Sequence, residues 1–118
     1  IYSTSQTGKG TAAAQYVRVP ARGAREDGVL TDAGLTAAAG DQLYLILYGT
    51  GLRGGAATAT VGDVSVPVAG PVAQGQYPGL DQLNLGPLPA RVGVGLKEIV
   101  VRQGEVLANI TTVLLKAP

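Results

Sequence analysis

The sequence holds no cysteine, methionine, histidine, tryptophan or phenylalanine. Without histidine or cysteine there is no Ser–His or Cys–His nucleophile pair, no histidine-ligated zinc and no disulfide staple. Charge is scarce too. Only 14% of residues are ionic, and nine basic against eight acidic side chains leave a net charge of +1. That balance makes no field to gather nucleic acid or anionic lipid. The longest apolar run, residues 43–48, is strand-sized, far short of the roughly 18 residues of a membrane span. These absences argue against most enzymes, against a nucleic-acid partner and against a membrane span, and they imply no cofactor or metal.

What is abundant is glycine, 18 residues, beside seven prolines in a chain of 118. The length suits one domain spanning residues 1–118, with enough surface buried on folding to form a real core. Helix signals are weak. The alanine-rich stretch 31–39 fits one or two helical turns, but Gly34 and Gly40 interrupt it. Strand signals are many and short. Residues 12–19 read as a strand ending at Pro20, and 42–48 as a central strand apolar on both faces. Segments 57–61 and 64–68 flank Gly62-Asp63, a pair suited to a tight hairpin. Segment 80–85 is a further strand, stopped by Gly86-Pro87-Leu88-Pro89.

The end of the chain reads as two strands, 94–102 and 105–116, joined at Gln103-Gly104. In the second, Val106, Ala108, Ile110 and Leu114 share one face. Glu105, Asn109 and Thr111 fall on the other, yet so do Leu107, Val113 and Leu115. About seven short strands set apart by Gly/Pro turns indicate an all-β fold, an immunoglobulin-like antiparallel β-sandwich. The structural alternative is a small open β-barrel. The polar segment 22–28 reads as an exposed loop or the tip of a long hairpin.

Chemical motifs are sparse. Gly49, Gly51 and Gly54 match the spacing of a dinucleotide phosphate cradle, but that cradle needs a following helix. Residues 55–61 have strand character instead, so the glycines read as a turn. The carboxylates Glu26, Asp27, Asp32, Asp41, Asp63, Asp81, Glu98 and Glu105 are dispersed and read as turn and cap groups. Asn109-Ile110-Thr111 is a formal glycosylation sequon, but it lies within the last strand, where an edge asparagine would hydrogen-bond. Tyr44 and Tyr48 read as core or core-edge aromatics whose hydroxyls need partners. Lys9, Lys97 and Lys116 with Asn84 and Asn109 are the only candidates for an internal Lys–Asn amide bond.

Several blocks occur in a fixed order: 47–53 (LYGTGLR), 60–63 (TVGD), 69–71 (AGP) and 77–84 (YPGLDQLN). In this the chain resembles the Solibacter-type C-terminal domain family of secreted acidobacterial proteins. The opening 10–14 (GTAAA) and the final paired strands fit as well, so the resemblance spans nearly the whole chain. Departures are Gly62-Asp63 in place of Gly-Gly, and Leu85-Gly86-Pro87 where a longer strand is usual. The resemblance implies a secreted, immunoglobulin-like module at the end of a longer chain, and brings no catalytic residues. Gly49, Gly51, Gly79 and Gly86 then read as turns with positive φ, beside the hairpin-turn residues Gly62 and Gly104. Asp81 and Asn84 read as loop-fixing side chains.

The chain begins at Ile1, which suggests a mature product cut from a precursor, or a fragment of a longer protein. A removed signal would place it outside the cell or at its surface. The first functional expectation is a non-catalytic structural or adhesion protein, a homo-oligomer or filament joined by β-strand addition. Residues 1–19 are the exchanged or donated segment, with Thr11, Ala13, Gln15, Val17 and Val19 along the assembly strand. The alternative is a module that binds carbohydrate or cell wall within a larger secreted protein.

Overall fold

A computed structural model describes residues 1, 3, 10–20, 23–36, 40–49, 57–73, 81–103 and 106–117. The chain is all-β. Its strands in order are β1 (Ala14–Val19), β2 (Glu26–Val29), β3 (Leu35–Thr36), β4 (Gln42–Gly49), β5 (Thr58–Val61), β6 (Val64–Val66), β7 (Val68–Ala73), β8 (Asp81–Leu85), β9 (Gly95–Gln103), β10 (Val106–Leu107) and β11 (Thr111–Lys116). Five form one sheet in the order β2-β1-β4-β8-β7. The second sheet runs β3-β11-β9-β5-β6, with β10 added on β9.

The core follows from period-two alternation. Leu43, Leu45 and Leu47 of β4 are buried, as are Leu83 and Leu85 of β8 and Ala14 of β1. The second sheet answers with Ala59, Val61, Ile99, Val101, Val113 and Leu115. With no phenylalanine or tryptophan in the chain to fill space, the buried apolar side chains among the described residues are all aliphatic.

Strand 42–48 is central, the third of five in its sheet, but it is covered on one side only. Tyr44, Ile46 and Tyr48 alternate with the buried leucines and lie half-exposed on the outer face. The tyrosines are therefore surface-face residues rather than core aromatics.

Strands outnumber the seven expected because several sequence runs split. At Pro67 the chain leaves β6 in one sheet and enters β7 in the other. Proline cannot donate to a ladder, so it suits such a crossing. Within the alanine-rich stretch, the described residues 31–36 form no helix. Residues 32–33 turn, and Leu35–Thr36 pairs parallel with Leu115–Lys116 at a sheet edge.

The final strand is broken by one extra residue. Leu107 pairs with Arg102, but Thr111 pairs with Ile99. Three residues, 108–110, thus oppose two, 100–101, which is the count of a β-bulge. A one-residue slip exchanges the faces. Leu107 consequently points outward, 46% exposed, while Thr111, Val113 and Leu115 point into the core. This resolves the mixed face that the sequence shows.

Candidate functional site

Two places collect the features singled out by sequence. The first is the N-terminal segment. Gly10–Ala12 runs along the second sheet: Ala12 N donates to Thr112 O at 3.0 Å, and Thr112 N to Gly10 O at 2.8 Å. Thr11 bridges Thr112 in parallel, and Ser3 bridges Ala12. After Ala13 the chain enters the first sheet as β1, where Gln15, Val17 and Val19 pair with Ile46, Tyr44 and Gln42 of β4. On its other side β1 pairs β2. Strand β1 is thus flanked on both sides within its own chain. The segment runs in one sheet before Ala13 and in the other after it.

That geometry matters because the β11 edge is thinly covered. β3 reaches only Leu115 and Lys116, so Gly10–Ala12 protects the remainder. The other edges are blunted in ways that deter pairing. β2 carries Glu26 and Asp27, β6 has three residues, and β7 contains Pro71 beside a register shift.

The second place is the outer face of the five-stranded sheet. Tyr48 Oη donates to Gln15 Oε1 at 2.9 Å, and Tyr44 Oη to Gln42 Oε1 at 3.4 Å. Gln82 Nε2 donates to Asn84 Oδ1 at 3.0 Å on the neighbouring strand. Beside these lies an open groove of about 440 Å³, lined by Gln15, Tyr16, Val17, Arg25, Asp27, Gly28, Val29 and Ile46. Its charged wall is internally neutral. Arg25 Nε and Nη2 fork onto the Asp27 carboxylate at 2.8 and 3.1 Å. The fork lowers the Asp27 pKa and raises that of Arg25.

Around the open end near β2, Tyr16, Arg18 and Glu26 form a polar cluster. Tyr16 Oη donates to Glu26 Oε1 at 2.7 Å and Arg18 Nη1 to Glu26 Oε2 at 2.8 Å. The Arg18 guanidinium also lies 5.7 Å from the Tyr16 ring centre and 3.7 Å from Asp41 Oδ2. This network ties two strands and a loop together.

The remaining sequence assignments fall as follows. Gly62 and Asp63 form the expected hairpin turn, with φ of 58° and 66°, as a type I′ turn requires. Gly86 has the expected positive φ, 135°. Gly49 is not a turn residue. It ends β4, buried opposite Asp81. Asp81 and Asn84 are not loop residues either. Asp81 begins β8 and is buried, and Asn84 lies within β8 on the outer face. Gly51, Gly54, Gly79 and Gly104 lie outside the described residues, as do Lys9 and Glu105.

Asn109 sits in the bulge, exposed, and not in a strand. Its Oδ1 accepts from the Ile1 amine at 2.7 Å, and its Nδ2 donates to Ile1 O at 2.7 Å. Burial lowers the pKa of that amine. Lys97 lies over Gly62 on the second sheet, across the sandwich from the outward-facing Asn84. Among the described residues no group of three potential metal ligands comes together. None of their helices is long and apolar enough to cross a membrane.

Sequence signals for the outer face existed in the alternation of Tyr44, Ile46 and Tyr48. What they lacked was the partner strands that bring Gln15, Gln82 and Asn84 beside them. No protein-family model, curated protein or solved structure matches the chain.

Proposed function

We propose that this is a non-catalytic extracellular structural or adhesion module that assembles with copies of itself by β-strand addition at the β11 edge. One observation carries the reading. The only cover over Thr111–Val113 among the described residues is Gly10–Ala12, held there by two backbone hydrogen bonds. Backbone pairing is indifferent to which chain supplies the strand, and the side chains here are small, from Thr11 to Ala14. The same segment from a neighbour satisfies the same groups. Donation from each copy to the next is heterologous and does not close, so it builds a filament. The blunted β2, β6 and β7 edges, and a β3 that reaches only Leu115 and Lys116, leave the rest of β11 as the edge suited to this pairing.

The test uses the absence of native cysteine. Thr11 and Thr112 are bridged neighbours on adjacent strand segments of one sheet, the kind of pair whose Cα atoms a disulfide, spanning roughly 4.4–6.8 Å, can join. In a Thr11→Cys/Thr112→Cys protein oxidised at high concentration, donation gives a ladder of covalent multimers on a non-reducing gel. Electron microscopy then shows filaments of the unmodified chain. Cross-linked monomers alone, with no particle larger than a monomer in light scattering, overturn the reading.

A further inference from the structure

We propose that the outer face of the five-stranded sheet is a binding site for an uncharged glycan chain, laid across Tyr44 and Tyr48. The position of the tyrosines is the first argument. They stand on the middle strand of five, flanking Ile46 on the outer face, while Leu45 and Leu47 between them are anchored in the core. Residues four apart on a strand lie about 13 Å from each other along its axis. That exceeds one sugar ring, so the ligand is an oligosaccharide.

The surroundings supply the second argument. Val17 pairs with Tyr44, and the polar groups around the two rings are Gln15, Gln42, Gln82 and Asn84, amides that donate and accept but carry no charge. The Tyr hydroxyls already donate to Gln15 and Gln42, which fixes ring and amide orientation before a ligand arrives. Such preorganisation reduces the ordering cost of binding. Val17, Val29 and Ile46 give the adjoining groove an apolar floor.

The third argument is ligand chemistry. A pyranose presents C–H faces that lie on an aromatic or aliphatic surface and hydroxyls that exchange hydrogen bonds with amides. A polyanion would meet Asp27, with Arg25 already committed to it. A purely apolar partner would bury the amides without partners. An uncharged polyol leaves neither conflict.

Affinity electrophoresis tests this in native gels containing xylan, galactomannan, hydroxyethyl cellulose or polygalacturonate. The expected result is retardation by at least one of the three neutral polymers, unchanged by added salt. Tyr44→Ala and Tyr48→Ala should each weaken it about tenfold, as loss of an aromatic anchor does. Gln82→Ala, which disturbs no core contact, should weaken it by a smaller factor even where a tyrosine variant fails to fold. Lys97→Ala, on the other sheet, should bind as the parent does. Three outcomes overturn the proposal: no retardation by any neutral polymer, retardation untouched in Tyr44→Ala, Tyr48→Ala and Gln82→Ala alike, or salt-sensitive binding to polygalacturonate alone.

Discussion

The Tyr16 ring occupies the space that a side chain at residue 28 would need. A Cβ placed on Gly28 would come within 2.6 Å of Tyr16 Cε1 and 2.7 Å of its hydroxyl. The two residues face each other across the β1–β2 pair. Gly28→Ala should therefore push the ring aside and break the hydrogen bond to Glu26. Overpacking of this kind costs about 1–3 kcal/mol. Tyr16→Phe, which keeps the ring and loses only the hydroxyl, should cost less. Urea denaturation of both variants checks the order, and a Gly28→Ala midpoint equal to the parent's would refute the packing argument.

The Tyr16–Glu26 bond also sets a pH window. Hydrogen bonds from Tyr16, then Arg18, hold the Glu26 carboxyl below its ordinary range. Its contribution is present above the unfolded value near 4.3 and is lost as pH falls through the lower folded value. The hydrogen bond to Glu26, helped by burial, holds the Tyr16 hydroxyl above its ordinary range. That contribution is present below about pH 10 and is lost as pH rises through the folded value. Thermal melts across pH should show both limbs, and Tyr16→Phe should remove the alkaline one. In a tyrosinate absorbance titration, subtracting the Tyr16→Phe curve should isolate a group titrating above 10.

Thr111 gives a prediction of opposite sign. It is fully buried, and its Oγ1 has no hydrogen-bond partner among the described residues. A buried hydroxyl without a partner costs about 1–3 kcal/mol. Thr111→Val keeps the shape and the β-branch and removes that cost. Its urea midpoint should rise, by about 1 kcal/mol in stability, with an unchanged m-value. A destabilised Thr111→Val would reveal a partner for the hydroxyl.

The hairpin at Gly62-Asp63 was legible in the sequence because its cause is local. Both residues take φ above zero, and Gly-Asp between two β-branched runs announces that. The inward leucines of β4 were legible by the same logic of alternation. The bulge at 108–110 was not, because Ala-Asn-Ile has ordinary strand character. Only its pairing with β9 reveals the extra residue, and with it why Leu107 and Val113 face opposite ways. Residues 31–36 show tertiary override. The stretch 31–39 suggests one or two helical turns, but Leu35 gains more by entering the core beside Leu115. The polar outer face of the five-stranded sheet needed three strands that are distant in sequence, so neither periodicity nor motif could assemble it.

Gly86 links the fold to that face. Its φ of 135° is reached readily only by glycine. A Cβ there would also come within 2.8 Å of Leu43 O and 2.8 Å of Tyr44 Cδ1. The carbonyl belongs to the central strand and accepts from Leu88 N at 2.9 Å, so it has little freedom to move. Gly86→Ala should therefore cost more than Gly28→Ala, since backbone strain adds about 1–3 kcal/mol to the steric conflict. What yields first is the Tyr44 ring, turned away from its place above the strand. Tyr48, four residues along and held by Gln15, should keep its position. In the folded fraction of Gly86→Ala, tyrosine ring NMR signals should shift for Tyr44 and stay for Tyr48. Shifts at both rings would mean that the two tyrosines move as one unit through β4.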